Sequence, residues 1–239
     1  GNITRSIERF NRIIEAFKAY NVPATGFVIA GSIGKGQWPF LENFRNAGLM
    51  LGNHTYSHSN LNQTNVDTYI ADIDKADRML SSVMTKPKYF RYPYLAEGNN
   101  KATKDKVHEY LTTHNYIVAP VTIDSKDFEF NEQCYHVPFR QREAYIYKLK
   151  STYLNYIWKQ TLRAENHTKS ENVKQILLIH ANLINSYLLP DILELYKKNG
   201  YKFITLAEAL KNPAPTLQAP IQDLHVDTKL ISFVPSVNK

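Results

Sequence analysis

The stretch Leu49-Met50-Leu51-Gly52-Asn53-His54-Thr55-Tyr56-Ser57-His58 decides how this chain is read. Three apolar residues make a short buried strand, which runs straight into two imidazoles four residues apart. If the chain turns helically after Gly52, both rings point to one side and can share a metal ion. Gly52 lets another part of the backbone approach closely. A polar loop with two unrelated histidines is the blander reading of the same residues. Working outward, three more stretches carry chemistry at the ends of short strands: Phe90-Arg91-Tyr92-Pro93-Tyr94, Asp124-Ser125-Lys126-Asp127-Phe128 and Ile176-Leu177-Leu178-Ile179-His180. Strand C-termini are where open α/β sheets and barrels place their sites. Taken singly, each has a plain alternative: a surface Arg before a turn, two loop carboxylates, a core histidine.

The segments between these stretches alternate between helical and strand-like patterns, which predicts an α/β protein with mostly parallel strands. Ile7, Phe10, Ile13, Ile14 and Phe17 predict a helix over 4–20, and residues 24–29 read as a buried strand. Pro39 to Ala47 is a short helix closed by Gly48. Thr64 followed by Asp67 suggests a capping box for a helix along Val66 to Leu80. Further helices are expected near 102–113, over 140–163 with Tyr145, Leu149, Tyr153, Tyr156, Ile157 and Leu162 as its apolar face, and over 188–198 before Gly200. Strands are expected at 116–121 and 201–204. Beyond Leu210, Pro213, Pro215, Pro220 and Pro235 read as an extended arm over 211–239, not a second domain.

Composition narrows the function classes. A single cysteine, Cys134, excludes an intrachain disulfide and a cysteine-rich zinc site. No apolar run approaches the ~18 residues of a transmembrane helix. The net charge of +7 sits partly in 140–169, where seven Lys/Arg face two Glu. That segment reads as a solvated basic helix face with its aromatics turned inward. No Lys/Arg block is dense enough for a nucleic-acid arm.

In their order along the chain, His-Thr-x-Ser-His, Arg-x-Pro-Tyr, Asp-x-x-Asp-Phe and Ile-x-Leu-x-His resemble the motif series of the polysaccharide deacetylase family (NodB homology, carbohydrate esterase family 4). The likeness covers roughly residues 3–210, taking in Val22 to Val28 and Gly200 to Leu206. It implies a distorted (β/α) barrel with a groove at the strand C-termini, and hydrolysis of N-acetyl groups on an amino-sugar polysaccharide or peptidoglycan-like glycan. Carried over, His54 and His58 are ligands of a Zn²⁺ or other divalent ion. Arg91 orients the catalytic base, and the Tyr94 backbone N–H contributes to an oxyanion hole. His180 is the general acid, positioned by Asp127, and Phe128 stands in the groove wall where the family has Trp. The family's Thr-Phe-Asp-Asp-Gly motif, source of the base and the third metal ligand, has no counterpart here, since no Asp-Asp pair occurs. The expectation is that this first strand lies upstream of Gly1 and that residues 1–239 alone are inactive. Two other readings stay open: an amide or cyclic-imide hydrolase on the same scaffold, and an inactive glycan-binding domain. The resemblance also implies a glycan partner and a periplasmic, cell-envelope or secreted location.

Overall fold

The computed structural model describes residues 2–34, 36–167, 173–217 and 231–238. Four parallel strands form one arc of the sheet: β1 (Ala24–Val28), β2 (Met50–Asn53), β3 (Lys88–Phe90) and β4 (Tyr116–Val118). A second parallel pair joins β5 (Ile123–Asp124) to β6 (Gln175–His180). Between the arcs runs β8 (Ile231–Asn238), antiparallel to both β1 and β6 and to the short β7 (Lys202–Ile204). The order is β4-β3-β2-β1-β8-β6-β5, with β7 on β8. β1 and β6 are buried along their whole length, which is why they read as unbroken apolar runs.

The sheet is rolled. β4 and β5 stand at opposite ends of the strand order, yet only residues 119–122 join them. Five backbone steps reach at most roughly 18 Å, whereas six strand spacings laid flat would separate them by about 29 Å. The two ends must therefore curl toward each other into a barrel-like sheet, with the ladder open between β4 and β5. The Ala119 N–H donates to the Phe90 carbonyl at 2.8 Å and the Thr122 N–H to that of Ile176 at 3.0 Å, so the link is tied on both sides of the gap.

Helices α1 (Asn2–Ala19), α2 (Trp38–Asn46), α3 (Val66–Leu80), α4 (Lys101–Thr113), α5 (Asp127–Cys134), α6 (Arg142–Asn166), α7 (Leu183–Lys198) and α8 (Leu206–Ala209) cover the outside. α1 buries Phe10, Ile13, Ile14 and Phe17 in a core shared with α2, α6 and α7. Several expectations change in detail. The α3 cap is Asn65, whose side chain accepts from the N–H groups of Asp67 and Thr68, while Thr64 Oγ1 donates to the Asn60 carbonyl instead. α6 buries Ile146, Tyr153, Ile157 and Thr161; Leu162 is exposed, because the apolar stripe turns one residue earlier at its end. α7 begins at Leu183, five residues before the sequence expectation; the strand expected to lead into Asp124 is the separate, two-residue β5, and α5 follows where no helix is expected from sequence. Of the arm, residues 218–230 lie outside the described residues, and 231–238 enter the sheet as β8.

Candidate active site

The two motif histidines converge, though not through a helical turn. After β2 the chain makes an irregular loop with Thr55 and His58 in the left-handed region, at φ 66° and 61°. Backbone bonds pin that loop to the segment after β1: His54 N–H to the Val28 carbonyl at 3.0 Å, and Ala30 and Gly31 N–H to the carbonyls of Thr55 and Tyr56. The Thr55 hydroxyl accepts from the His58 N–H at 2.9 Å and fixes the turn. As a result the rings of His54 and His58 lie 4.9 Å apart, edge to face, and the His58 ring is 4.6 Å from that of Tyr94. Gly52 is needed where it stands, since a Cβ there would meet the Phe27 ring at 2.7 Å and the Tyr89 carbonyl oxygen at 2.8 Å.

The electrostatics of the pair suit ligation. Burial, and then the like charge of His58, hold the pKa of His54 well below its usual range. Burial, and then His180, push that of His58 down to about 4. Both imidazoles are neutral at pH 7, the form that binds metals. His54 Nδ1 lies 2.7 Å from the Arg91 carbonyl oxygen, which can only accept, so Nδ1 carries the proton and Nε2 keeps its lone pair.

His180 ends β6, and its Nδ1 is 2.7 Å from Asp127 Oδ1. Burial opposes charge on this imidazole, but the Asp127 carboxylate, by charge and hydrogen bond, and the charge of Asp124 together raise its pKa above the ordinary histidine value. Asp127 itself is held on every side. Its Oδ2 accepts from the His180 N–H, from Asn185 Nδ2 at 2.8 Å and from Asn182 Nδ2 at 3.3 Å. Tyr153 in turn donates to Asn185 Oδ1 at 2.6 Å. Sequence reading missed Asn182, Asn185 and Tyr153. The only available signal was the capping role of Asn182, which accepts from the Asn185 N–H at the start of α7.

Arg91 lies just past β3 and is 1% exposed. Its Nε donates to the Ala119 carbonyl at 2.7 Å and its Nη2 to that of Pro120 at 3.2 Å, across the open seam between β4 and β5. The guanidinium carbon sits 4.7 Å from the centre of the Phe27 ring. Nη1 is buried with no hydrogen-bond partner. A desolvated guanidinium with an orphaned N–H is a receptor for a carboxylate. Burial lowers the Arg91 pKa to about 9, against the pull of Asp124, so the charge persists at pH 7. Tyr94 and Leu95, at φ 58° and 56°, turn the chain sharply after Pro93 and bring the Tyr94 ring to His58. Phe128 is half-buried, with the Lys126 ammonium 5.7 Å from its ring centre.

His54, His58, Arg91 and His180 act on one another electrostatically, so the four lie in one neighbourhood although 126 positions separate the first from the last. Among the described residues no group of three or more His, Cys, Asp or Glu side chains stands together as a metal site. His54 and His58 stand as a pair, and Nη1 of Arg91 is a buried donor without an acceptor.

Residues 6–113 match the sequence model of the family described as polysaccharide deacetylase. A peptidoglycan-N-acetylglucosamine deacetylase of Bacillus cereus is 30% identical over 120 residues, 49% of this chain and 41% of that protein, so the match spans about two fifths of the relative. Among solved structures, the chitin deacetylase of Colletotrichum lindemuthianum superposes with a TM-score of 0.63 at 21% identity, covering 91% of this chain and 88% of that one. A CE4 family pseudoenzyme from Bacillus anthracis superposes with a TM-score of 0.62 at 20% identity, covering 85% and 60%. At such identities the two structures speak for the fold.

Proposed function

The chain carries a polysaccharide deacetylase domain of the NodB-homology family, and from that premise we propose that it removes N-acetyl groups from an amino-sugar glycan in a metal-dependent hydrolysis. The observation that carries this reading is the neighbourhood of a buried histidine couple, its pKa values pushed down, and a histidine whose Nδ1 lies 2.7 Å from Asp127 Oδ1, a partner that favours its charged form. Zinc or another divalent ion, held by His54, His58 and a carboxylate from outside the described residues, would supply Lewis-acid polarisation of the acetyl carbonyl and a lowered pKa for water. Arg91, through Nη1, would orient a second carboxylate as the base that takes the water's proton. The turn at Tyr94 would aim a backbone N–H at the developing oxyanion. His180, charged, would protonate the leaving amine, which departs poorly as an anion. We also propose a cell-envelope or extracellular location, where glycans of this class occur.

The test compares the chain with a form in which a Thr-Phe-Asp-Asp-Gly strand is grafted ahead of α1. The grafted form is expected to hold one zinc and release acetate from N-acetylglucosamine oligomers, and the ungrafted form to bind metal weakly and stay inactive. His54→Ala or His58→Ala should abolish metal binding in the graft. His180→Ala should retain the metal and slow turnover by roughly 10²–10⁴-fold. A graft that binds zinc and frees no acetate from any glycan would overturn the deacetylase reading. The likeness to a pseudoenzyme and the incomplete ligand set keep a glycan-binding role as the second reading.

A further inference from the structure

We infer that the cavity beside the His180 end of β6 is a subsite for an anionic group, a phosphate or carboxylate carried by the glycan. The cavity has a volume of about 600 Å³ and reaches Ala181, the residue next to His180. Five guanidinium groups line it, those of Arg5, Arg9, Arg12, Arg140 and Arg142, against only Glu8 and Glu143. None of the five forms an ion pair among the described residues. Five guanidinium groups against two carboxylates leave the space with an excess of positive charge that favours an anion between them.

Three further features organise this recess, in which Arg9 and Arg142 are half-buried and Arg5, Arg12 and Arg140 are exposed at the rim. The guanidinium planes are positioned by aromatic rings: Arg5 sits 4.2 Å from the Phe139 ring centre, Arg12 4.4 Å from that of Tyr187, and Arg142 4.7 Å from that of Tyr135. Stacking leaves the edges of each fork, where the N–H donors point, available to a ligand. Second, Nε of Arg9 and Nε of Arg142 are buried with no hydrogen-bond partner, so two donors at the wall lack acceptors. Third, the first turns of α6 and α7 and the Gln37 cap of α2 border the cavity, adding the positive ends of three helices. The basic segment therefore divides. Lys148 and Lys159 are exposed on α6 as the sequence suggested, whereas Arg140 and Arg142 face the recess.

The carrier of the anion rests on the deacetylase reading; the recess as an anion receptor does not. Isothermal titration of the whole chain with inorganic pyrophosphate at low ionic strength should show saturable binding to one site, and titration with citrate tests the carboxylate alternative. The tighter of the two identifies the source. Arg9→Gln with Arg142→Gln should weaken binding at least tenfold, and the corresponding Lys pair by less, since Lys keeps charge and loses the fork. Should the Gln pair fail to fold by circular dichroism, Arg5→Gln with Arg12→Gln carries the same expectation from the rim. No saturable binding of either anion, or binding unchanged in the Gln variants, would overturn the inference whatever the enzyme assay shows. In the grafted form, equal acetate release from neutral and anionic oligosaccharides by wild type and Gln variants would overturn the substrate role while leaving the deacetylase reading intact.

Discussion

At the scale of single residues, the site is a set of protonation states fixed by burial. His58, with a pKa near 4 in the folded chain and 6.5 ordinarily, rejects a proton that the unfolded chain accepts. The unfolded state therefore binds more protons below pH 6.5, and stability falls as pH drops from 6.5 toward 4, by about 3 kcal/mol for this group. His180 has the opposite sign. Its raised pKa gives a contribution fully present below 6.5 and lost as pH rises through the folded value. Urea denaturation across pH should show both limbs, with Asp127→Asn removing the alkaline one; persistence of that limb in the variant would contradict the assignment. Gly52→Ala is expected to cost about 2–3 kcal/mol, because the new methyl has the Phe27 ring and the Tyr89 carbonyl within 2.8 Å. A midpoint within error of wild type would show that the β2 backbone shifts freely. The residues that hold Asp127 explain part of what sequence could not reveal. Asn185 sits 58 positions from Asp127, and an Asn inside an apolar helix pattern carries no mark of its partner.

At the scale of elements, legibility followed length and periodicity. α1, α3 and α4 repeat apolar residues over three turns or more and were readable to within a residue or two. β5 has two residues, and α5 begins at a left-handed Lys126 and buries Asp127 and Asn131 along with Phe130, so neither presents a pattern. The α3 cap offers a clean test between two readings. Asn65→Ala should destabilise by about 1 kcal/mol, whereas Thr64→Ala, which loses only a bond to the Asn60 carbonyl, should cost less. Thermal melts that reverse this order would restore the capping box read from Thr64. The strand-end motifs were legible for a related reason: each polar residue interrupts a buried run at the point where the strand leaves the sheet, and β2, β3 and β6 all end at that boundary.

At the scale of the whole molecule, the barrel-like curl was implied by the family resemblance alone, because it is a relation among strands that meet only after folding. β8 pairs with β1 across more than 200 positions, an antiparallel partner among parallel strands, and nothing local announces it. Removing residues 231–238 should leave the facing edges of β1 and β6 unpaired and raise amide exchange across Ala24–Val28 and Gln175–His180. Protection unchanged by the truncation would show that β8 contributes nothing to those edges. The seam between β4 and β5 has a separate consequence, carried by Arg91. Its side chain satisfies the carbonyls of Ala119 and Pro120 where no strand does, so Arg91→Met should destabilise by about 2–4 kcal/mol even in a chain with no activity. Descendants of such a fold that abandoned hydrolysis would be free to lose His54 and His58, whose desolvation is a standing cost, but would stay under selection to keep the arginine. An intact arginine in a homologue thus records an intact seam, whatever has become of the histidines.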